Sequence, residues 1–217
     1  MGTVTPTLRP LALALTLALG LAACAQQPAE TPTDAATAPA AVTEGRWALD
    51  PAASKLTYVS IKAGEVAETN RFDRLSGTVA SDGTASLEID LASVDTGVDL
   101  RNERMREMFF DVAANPKASV TAKLDPKAFA SLAVGQSLTR LLKASVTIKG
   151  VTAEVETEVL VTRVGEDRVT VVPTAPVIIS TDMFDLTDEL GDLRAAAQLT
   201  SITPAVPVSF ILAFTRA

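Results

Sequence analysis

Alternation of apolar and polar residues over residues 142–159 is the feature that most limits how this chain can fold. Apolar residues occupy almost every second position in residues 142–148 and again in residues 151–159, and only Lys149-Gly150 separates the two runs. Successive side chains of a β-strand point to opposite faces, so each run predicts a strand with one face in a core. The two-residue turn predicts a hairpin, in which outward lysines of the first strand oppose outward glutamates of the second.

The same two-residue period recurs along most of the chain and gives about eight strands with short connections. Clear examples lie at residues 55–62, 87–91, 168–172 and 206–214, and residues 71–72 with 75–79 predict another strand. A chain of antiparallel strands must protect its edges, and closure into a barrel does so directly. We therefore predict an all-β fold, an eight-stranded antiparallel barrel with short helical insertions. A flattened, well-packed sandwich fits the same pattern.

The predicted inward residues leave room inside such a barrel. Eight strands enclose an interior that is either filled by side chains or holds one small ligand. Aromatic residues make up only 4% of the chain, and inward positions such as Ala144 and Ala153 carry small side chains. These features favour a cavity over a filled interior.

Two segments change to a helical period and are expected to be insertions between strands. Residues 93–111 combine three arginines with two terminal phenylalanines, and residues 182–197 carry a leucine stripe at helical spacing. In the first segment Leu100, Met105, Met108 and Phe109 fall on one side of a helix. We expect this first insertion to cap one end of the barrel, with Phe109 and Phe110 pointing inward.

The first residues have the pattern of an export signal. Residues 1–23 begin with a short positive region and continue with an apolar run too short to span a bilayer stably. They end at Cys24, the only cysteine, in a pattern that resembles a bacterial lipobox, which implies a lipoprotein signal peptide and a lipidated Cys24. The alternative is cleavage after Ala23 or Ala25, which would leave a free thiol.

The segment that follows predicts a tether. Residues 24–45 are rich in Ala, Pro, Thr and Gln without apolar periodicity, so we predict a disordered tether before a barrel domain at residues 46–217. Acyl chains on Cys24 would make the membrane a partner through a lipid anchor. The residue after the cysteine is Ala25 and not an aspartate, which resembles Gram-negative lipoproteins that are sorted to the outer membrane. We therefore expect the domain on the periplasmic side of the cell envelope.

Charge and composition exclude several classes of function. The net charge of −7 argues against a nucleic-acid partner, which requires a basic surface. The chain has no histidine, which removes the Ser-His-Asp and Cys-His mechanisms and histidine zinc sites. The spacing of Asp95, Asp99 and Asp111 fits no calcium loop. We therefore expect no enzyme activity, no catalytic residues, no metal and no cofactor.

The arginines of the first insertion admit two interpretations. Arg101, Arg104 and Arg106 could hold an anionic head group or a diphosphate, because guanidinium groups suit phosphate. Alternatively, they form a solvated helix face paired with Glu103 and Glu107.

The candidate ligand-binding residues are a set of aromatic side chains together with Arg101. An apolar ligand binds through apolar area with few polar contacts, so such residues serve equally as core or as cavity wall. The aromatic candidates are Tyr58, Phe72, Phe109, Phe110, Phe129 and Phe184.

Four motifs in register resemble the YceI-like family of secreted, lipocalin-like barrels. The opening residues 47–51 with Ser54 are similar to the start of the family domain, and Phe72 and Gly77 fit the next segment. Residues 93–97 with Arg101, residues 109–111 and Pro116 resemble its central signature, and residues 146–152 resemble its small hairpin. The chain departs from the family where it has Ala53 and Arg104 in place of histidines, and Asn102 in place of an aspartate.

The resemblance implies a barrel with an elongated apolar cavity for an amphiphilic lipid. The bound lipid would be a polyisoprenoid or an isoprenoid quinone, the one small molecule expected to accompany the protein. Arg101 alone of the three arginines matches the family signature. The alternative is a structural envelope lipoprotein with a filled barrel and no ligand. The oligomeric state stays open, with a homodimer as one alternative, and so does a role in carrying, storing or sensing lipid.

Overall fold

A computed structural model describes residues 41–217. The predicted signal peptide, Cys24 and most of the tether therefore lie outside the described residues. Within the described range the chain forms strand segments and two short α-helices, in the order given by these bounds: β1 Trp47–Leu49, β2 Lys55–Lys62, β3 Val66–Phe72, β4 Leu75–Val79, β5 Thr84–Asp90, β6 Val94–Asp95, α1 Asp99–Arg104, β7 Lys117–Lys123, β8 Ser137–Ile148, β9 Val151–Gly165, β10 Arg168–Pro173, β11 Val177–Ser180, α2 Thr187–Ala196 and β12 Ala205–Arg216.

These segments form a closed antiparallel barrel of eight strands, as predicted. β1 continues into β2, β3 into β4, β5 into β6, and β10 into β11 after short interruptions, so the segments make eight barrel strands. Each barrel strand pairs with the next one along the chain. The last strand returns to the first, because β12 pairs with both β1 and β2. The barrel is therefore an up-and-down meander with no free sheet edge along most of its wall.

Polar side chains shape the interruptions. Asp50 accepts a hydrogen bond from the amide of Ala52 at 3.1 Å and caps the 3-10 turn Pro51–Ala53, and it also pairs with Arg168. At the second interruption the hydroxyl of Ser93 accepts a hydrogen bond from the amide of Arg74 at 3.0 Å. Local side-chain acceptors thus satisfy backbone donors where the strand ladder breaks.

The long insertions lie at one end of the barrel, which we call the capped end. α1 and the following π-helical turn, Met105–Phe109, connect β6 to β7, and α2 connects β11 to β12. The turn between β2 and β3 and the hairpin between β8 and β9 lie at this end as well, because the strands alternate in direction. Within residues 41–217 no helix is both long enough and apolar enough to cross a bilayer.

The opposite end is closed around Trp47. Its side chain is 5% exposed, and its indole nitrogen donates to the carbonyl of Val42 at 3.1 Å. The guanidinium of Arg216 lies 4.7 Å from the centre of the indole ring, an arrangement that favours a cation–π interaction. Leu132, which is 2% exposed, is buried in the same core. The chain thus enters and leaves the barrel at this closed end.

The predicted hairpin is confirmed, whereas the third strand segment is longer than the pattern indicates. β8 and β9 pair over their facing lengths, and Lys143 forms an ion pair with Glu156 at 2.5 Å. Lys149 and Gly150 both adopt positive φ, as a tight hairpin turn requires. β3 begins at Val66, although the sequence pattern predicts a strand only from Arg71. The inward face of β3 carries polar residues, so the first part of this strand shows no alternation of apolar and polar residues in the sequence.

Gly77 makes possible the close approach of β4 to β5. A Cβ atom at this position would lie 2.5 Å from the backbone carbonyl oxygen of Ser86. We expect Gly77→Ala to lower the free energy of unfolding by about 1–3 kcal/mol, because the two strands must separate locally to admit the methyl group. Urea denaturation of the variant and the wild type measures the difference.

Gly191 offers a matched control. It lies inside α2, and a Cβ atom there would meet no atom within 4 Å. Gly191→Ala should raise the free energy of unfolding by about 0.5–1 kcal/mol, because alanine loses less conformational entropy in a helix. Equal effects of the two substitutions would contradict the role assigned to Gly77.

Candidate ligand cavity

The barrel contains a cavity of about 890 Å³. Residues from all eight barrel strands line it, and most of them are Val, Leu, Ile, Ala and Phe. Alternate residues of β12 illustrate how the strands build the wall, since Val206, Val208, Phe210, Leu212 and Phe214 all face the cavity. Ala144 also lines it, as expected from its inward position. The volume falls in the range typical of small-molecule sites.

All six predicted aromatic residues line the cavity, but they occupy different parts of it. Four form a chain of ring contacts near the capped end: Tyr58 lies 5.6 Å from Phe72, Phe72 lies 5.9 Å from Phe110, and Phe110 lies 4.9 Å from Phe109, between ring centres. Phe184, at 1% exposed, lies just before α2 in the chain, and Phe129 follows β7 near the closed end.

The π-helical turn is the reason that two consecutive phenylalanines both point inward. The amide of Phe110 donates to the carbonyl of Met105, five residues earlier, instead of four. This wider turn shifts the helical register, so Phe109 and Phe110 are both buried. The predicted single stripe is therefore wrong in part: Leu100 and Met108 are 54% and 38% exposed, because the turn departs from the helical period that the stripe assumes.

The capped end of the cavity carries an ionic cluster. Arg101 forms an ion pair with Glu68 on β3, and its other terminal nitrogen donates to the carbonyl of Thr96 at 2.9 Å. Lys62 forms a second ion pair with Glu68 at 2.8 Å. The hydrogen bond from Lys62, together with that from Arg101, lowers the pKa of the Glu68 carboxyl below its ordinary value. Glu68 therefore joins α1 to the hairpin between β2 and β3.

Asn70 and Tyr58 extend the polar end into the cavity. The two residues are direct partners across β2 and β3, and both line the cavity. Asn70 is 3% exposed and donates from its amide nitrogen to the hydroxyl of Ser60 at 3.0 Å. Burial raises the pKa of the Tyr58 phenol, so this group is a neutral hydroxyl at physiological pH.

The structure separates the arginines of the cap. Arg101 pairs with a carboxylate inside the barrel rim, and within residues 41–217 none of the three arginines pairs with Glu103 or Glu107. The alternative interpretation, a helix face paired with Glu103 and Glu107, is therefore wrong. Arg104 lines the cavity, whereas Arg106 does not.

Sequence reasoning did not identify Lys62, Glu68 or Asn70. The only signal that could have found them is the two-residue period of β3. Because its inward positions carry polar residues, this period predicts a surface strand unless the neighbouring strands are known. Of the acidic residues considered as metal ligands, Asp95 has other partners, since it pairs with Arg71 and accepts from the amide of Gly97 at 2.8 Å. Among residues 41–217 no three Asp, Glu or Cys side chains are grouped so as to hold a metal ion.

A closed up-and-down barrel with an apolar cavity and a polar end is the architecture of a small-ligand-binding barrel. Residues 47–214 match the YceI-like domain. The chain therefore belongs to the YceI-like family, as the motifs predicted.

Solved structures support this assignment. A polyisoprenoid-binding domain from Saccharophagus degradans, implicated in plant cell wall breakdown, is 38% identical, with a TM-score of 0.77, and the match covers 79% of this chain and 98% of that one. BcnA from Burkholderia cenocepacia is 24% identical with a TM-score of 0.59, over 76% of this chain and 98% of that one, and shows the shared fold. No curated protein matches the chain.

We expect Glu68→Gln to lower the free energy of unfolding by roughly 1–2 kcal/mol at neutral pH, because it leaves Arg101 and Lys62 without their shared carboxylate. The pKa of Glu68 is lowered in the folded chain, so its contribution is present above the ordinary value of 4.5 and is lost as the pH falls through the folded-state value. The difference between wild type and variant should therefore shrink in acid. Denaturation between pH 3 and 7 measures it.

Glu88→Gln is the control for this ion pair. Glu88 pairs with Lys117 on the outer wall, with both side chains about half exposed. Exposed pairs contribute little, so this variant should change stability by less than about 1 kcal/mol. A loss as large as that of Glu68→Gln would argue against a special role for the capped-end cluster.

Proposed function

We propose that this protein binds an amphiphilic lipid, a polyisoprenoid or an isoprenoid quinone, with the tail inside the barrel. The observation that carries the proposal is the cavity of about 890 Å³ whose lining is apolar along all eight strands and polar only in places. Each methylene moved from water into such a lining contributes about 0.8 kcal/mol, so a long unbranched or prenyl tail binds through area alone. The polyisoprenoid-binding domain from Saccharophagus degradans, with the same fold at 38% identity, supports the same ligand class here.

Binding, and not catalysis, is the function that we propose. Glu68, the carboxylate that faces the cavity at its capped end, is already paired with both Lys62 and Arg101. A general acid or base needs a free titratable group beside the reacting atoms. The chain has no histidine to supply one near neutral pH.

We also propose that the protein is a lipoprotein held in the cell envelope through Cys24, on the periplasmic side of the outer membrane. The apolar run before this sole cysteine and the Ala, Pro and Thr-rich segment after it support the proposal. The barrel would then work beside the membrane that contains its ligand.

Filling the cavity tests ligand binding against the alternative of a filled structural barrel. Ala144 is buried and lines the cavity. We expect Ala144→Phe to leave the free energy of unfolding unchanged or higher and to reduce the prenyl lipid that co-purifies from bacterial cells, measured by solvent extraction and mass spectrometry. A loss of about 1–3 kcal/mol, the usual cost of overpacking, would mean that the interior has no room.

Ala213 provides the matched control for this substitution. It is 1% exposed in β12 but does not line the cavity. Ala213→Phe should therefore destabilise the fold by overpacking. If wild-type protein prepared from its native envelope carries no lipid at all, the binding proposal is wrong.

The anchor has its own test. Cys24→Ser removes the sulfur that lipidation requires, so we expect the protein to move from the membrane fraction to the soluble periplasmic fraction. Metabolic labelling with a fatty acid should mark the wild type and not the variant. A variant that stays in the membrane fraction would contradict the lipid anchor.

A further inference from the structure

Three buried polar side-chain atoms have no hydrogen-bond partner within residues 41–217. They are Oδ1 of Asn70, Nε of Arg101 and Oγ1 of Thr181. All three residues line the cavity, and all three lie at its capped end, on β3, on α1 and directly after β11. A buried polar atom without a partner is costly, and three of them lining one end of a cavity point to partners that come from outside the chain.

The geometry fixes which end of the Asn70 amide is unpaired. The amide nitrogen donates to the hydroxyl of Ser60 at 3.0 Å and to the backbone carbonyl of Glu68 at 3.2 Å. A carbonyl oxygen can only accept, so the nitrogen must face Glu68. The oxygen of Asn70 is therefore an acceptor that needs a donor from a ligand.

The neighbouring groups complete the description of that ligand. The Nε–H of Arg101 is a donor that needs an acceptor, and the hydroxyls of Thr181 and Tyr58 can do either. Within the described residues the Tyr58 hydroxyl also makes no hydrogen bond. A hydroxyl group matches this set, because it donates one hydrogen bond and accepts others. An ether or ester head group lacks the donor that Asn70 requires.

A diphosphate fits this end less well than a hydroxyl does. The terminal nitrogens of Arg101 are already bound to Glu68 and to the carbonyl of Thr96. A diphosphate carries only acceptors at neutral pH, so it would leave the acceptor oxygen of Asn70 without a donor.

We propose that the capped end selects an amphiphile with an uncharged, hydroxyl-bearing head group, such as an isoprenoid alcohol, phenol or quinol, and that Asn70 is the specificity-determining residue. This inference rests on the proposed lipid-binding function. It assigns the tail to the apolar wall and the choice of head group to the polar end.

Three probes with one tail test the inference: geranylgeraniol, its methyl ether and geranylgeranyl diphosphate. Equilibrium dialysis against the delipidated full chain, with mass-spectrometric quantitation, gives each Kd. The alcohol should bind roughly 5- to 100-fold more tightly than the ether, the cost of leaving one buried acceptor unpaired, and more tightly than the diphosphate. Equal binding of alcohol and ether, or tighter binding of the diphosphate, overturns the inference while leaving lipid binding intact. Binding of none of the three contradicts the proposed function itself.

Variants assign the selectivity to a residue. Asn70→Leu removes the acceptor and should reduce the ratio of ether to alcohol Kd to about one. Ser60→Ala removes a partner of the Asn70 nitrogen but keeps its oxygen, so it should preserve the preference. A preference that survives Asn70→Leu in a folded protein, verified by its thermal transition, overturns the role of Asn70. If Asn70→Leu does not fold, Asn70→Asp replaces it, because aspartate keeps an acceptor at this position. Asn70→Asp must retain the preference for the alcohol over the ether, and loss of this preference overturns the inference.

Discussion

Closure of the barrel at its closed end depends on a strand of only three residues. β1 pairs with β4 on one side and with the end of β12 on the other. It therefore joins the last strand of the meander to the second one at this end of the barrel. Without this contact β4 and β12 would both present unpaired backbone groups to solvent. Burial of Trp47 in β1, with Arg216 of β12 against its ring, secures the strand to its neighbour. Packing at the closed end thus stabilises the barrel, so the rest of the interior does not have to be filled by side chains.

The two ends of the barrel serve different purposes. The closed end is packed by aromatic and aliphatic side chains together with Arg163, which is 4% exposed and donates to the carbonyl of Leu132 at 3.3 Å. The capped end is held by Glu68, which joins the β2–β3 hairpin to α1 through Lys62 and Arg101. Its polar groups are partly paired with one another and partly unpaired, which is costly for a folded chain on its own. Natural proteins retain such costs at binding sites, where a ligand relieves them.

Much of the cavity wall could be predicted from local sequence. Alternation alone identifies the inward residues of β12 and β8, because side-chain direction in a strand follows position. The same rule fails in β3, where Glu68 and Asn70 point inward at the polar end. The helical period fails in the first insertion, where a π-helical turn at Met105 changes the register and leaves Leu100 and Met108 exposed. Both failures lie at the candidate site, where residues that line the cavity depart from the pattern of an ordinary strand or helix.

The sequence by itself determined the strands, the β8–β9 hairpin, the aromatic residues of the wall and the family, because these depend on local periodicity and on short motifs. Only the tertiary structure decided what Arg101 contacts. Its partner Glu68 lies 33 residues earlier in the chain, and no local pattern links the two. The pairing exists because the meander returns β3 beneath the insertion that carries α1. Polar contacts across a barrel depend on which strands become neighbours, and closure of the whole ring sets that relation.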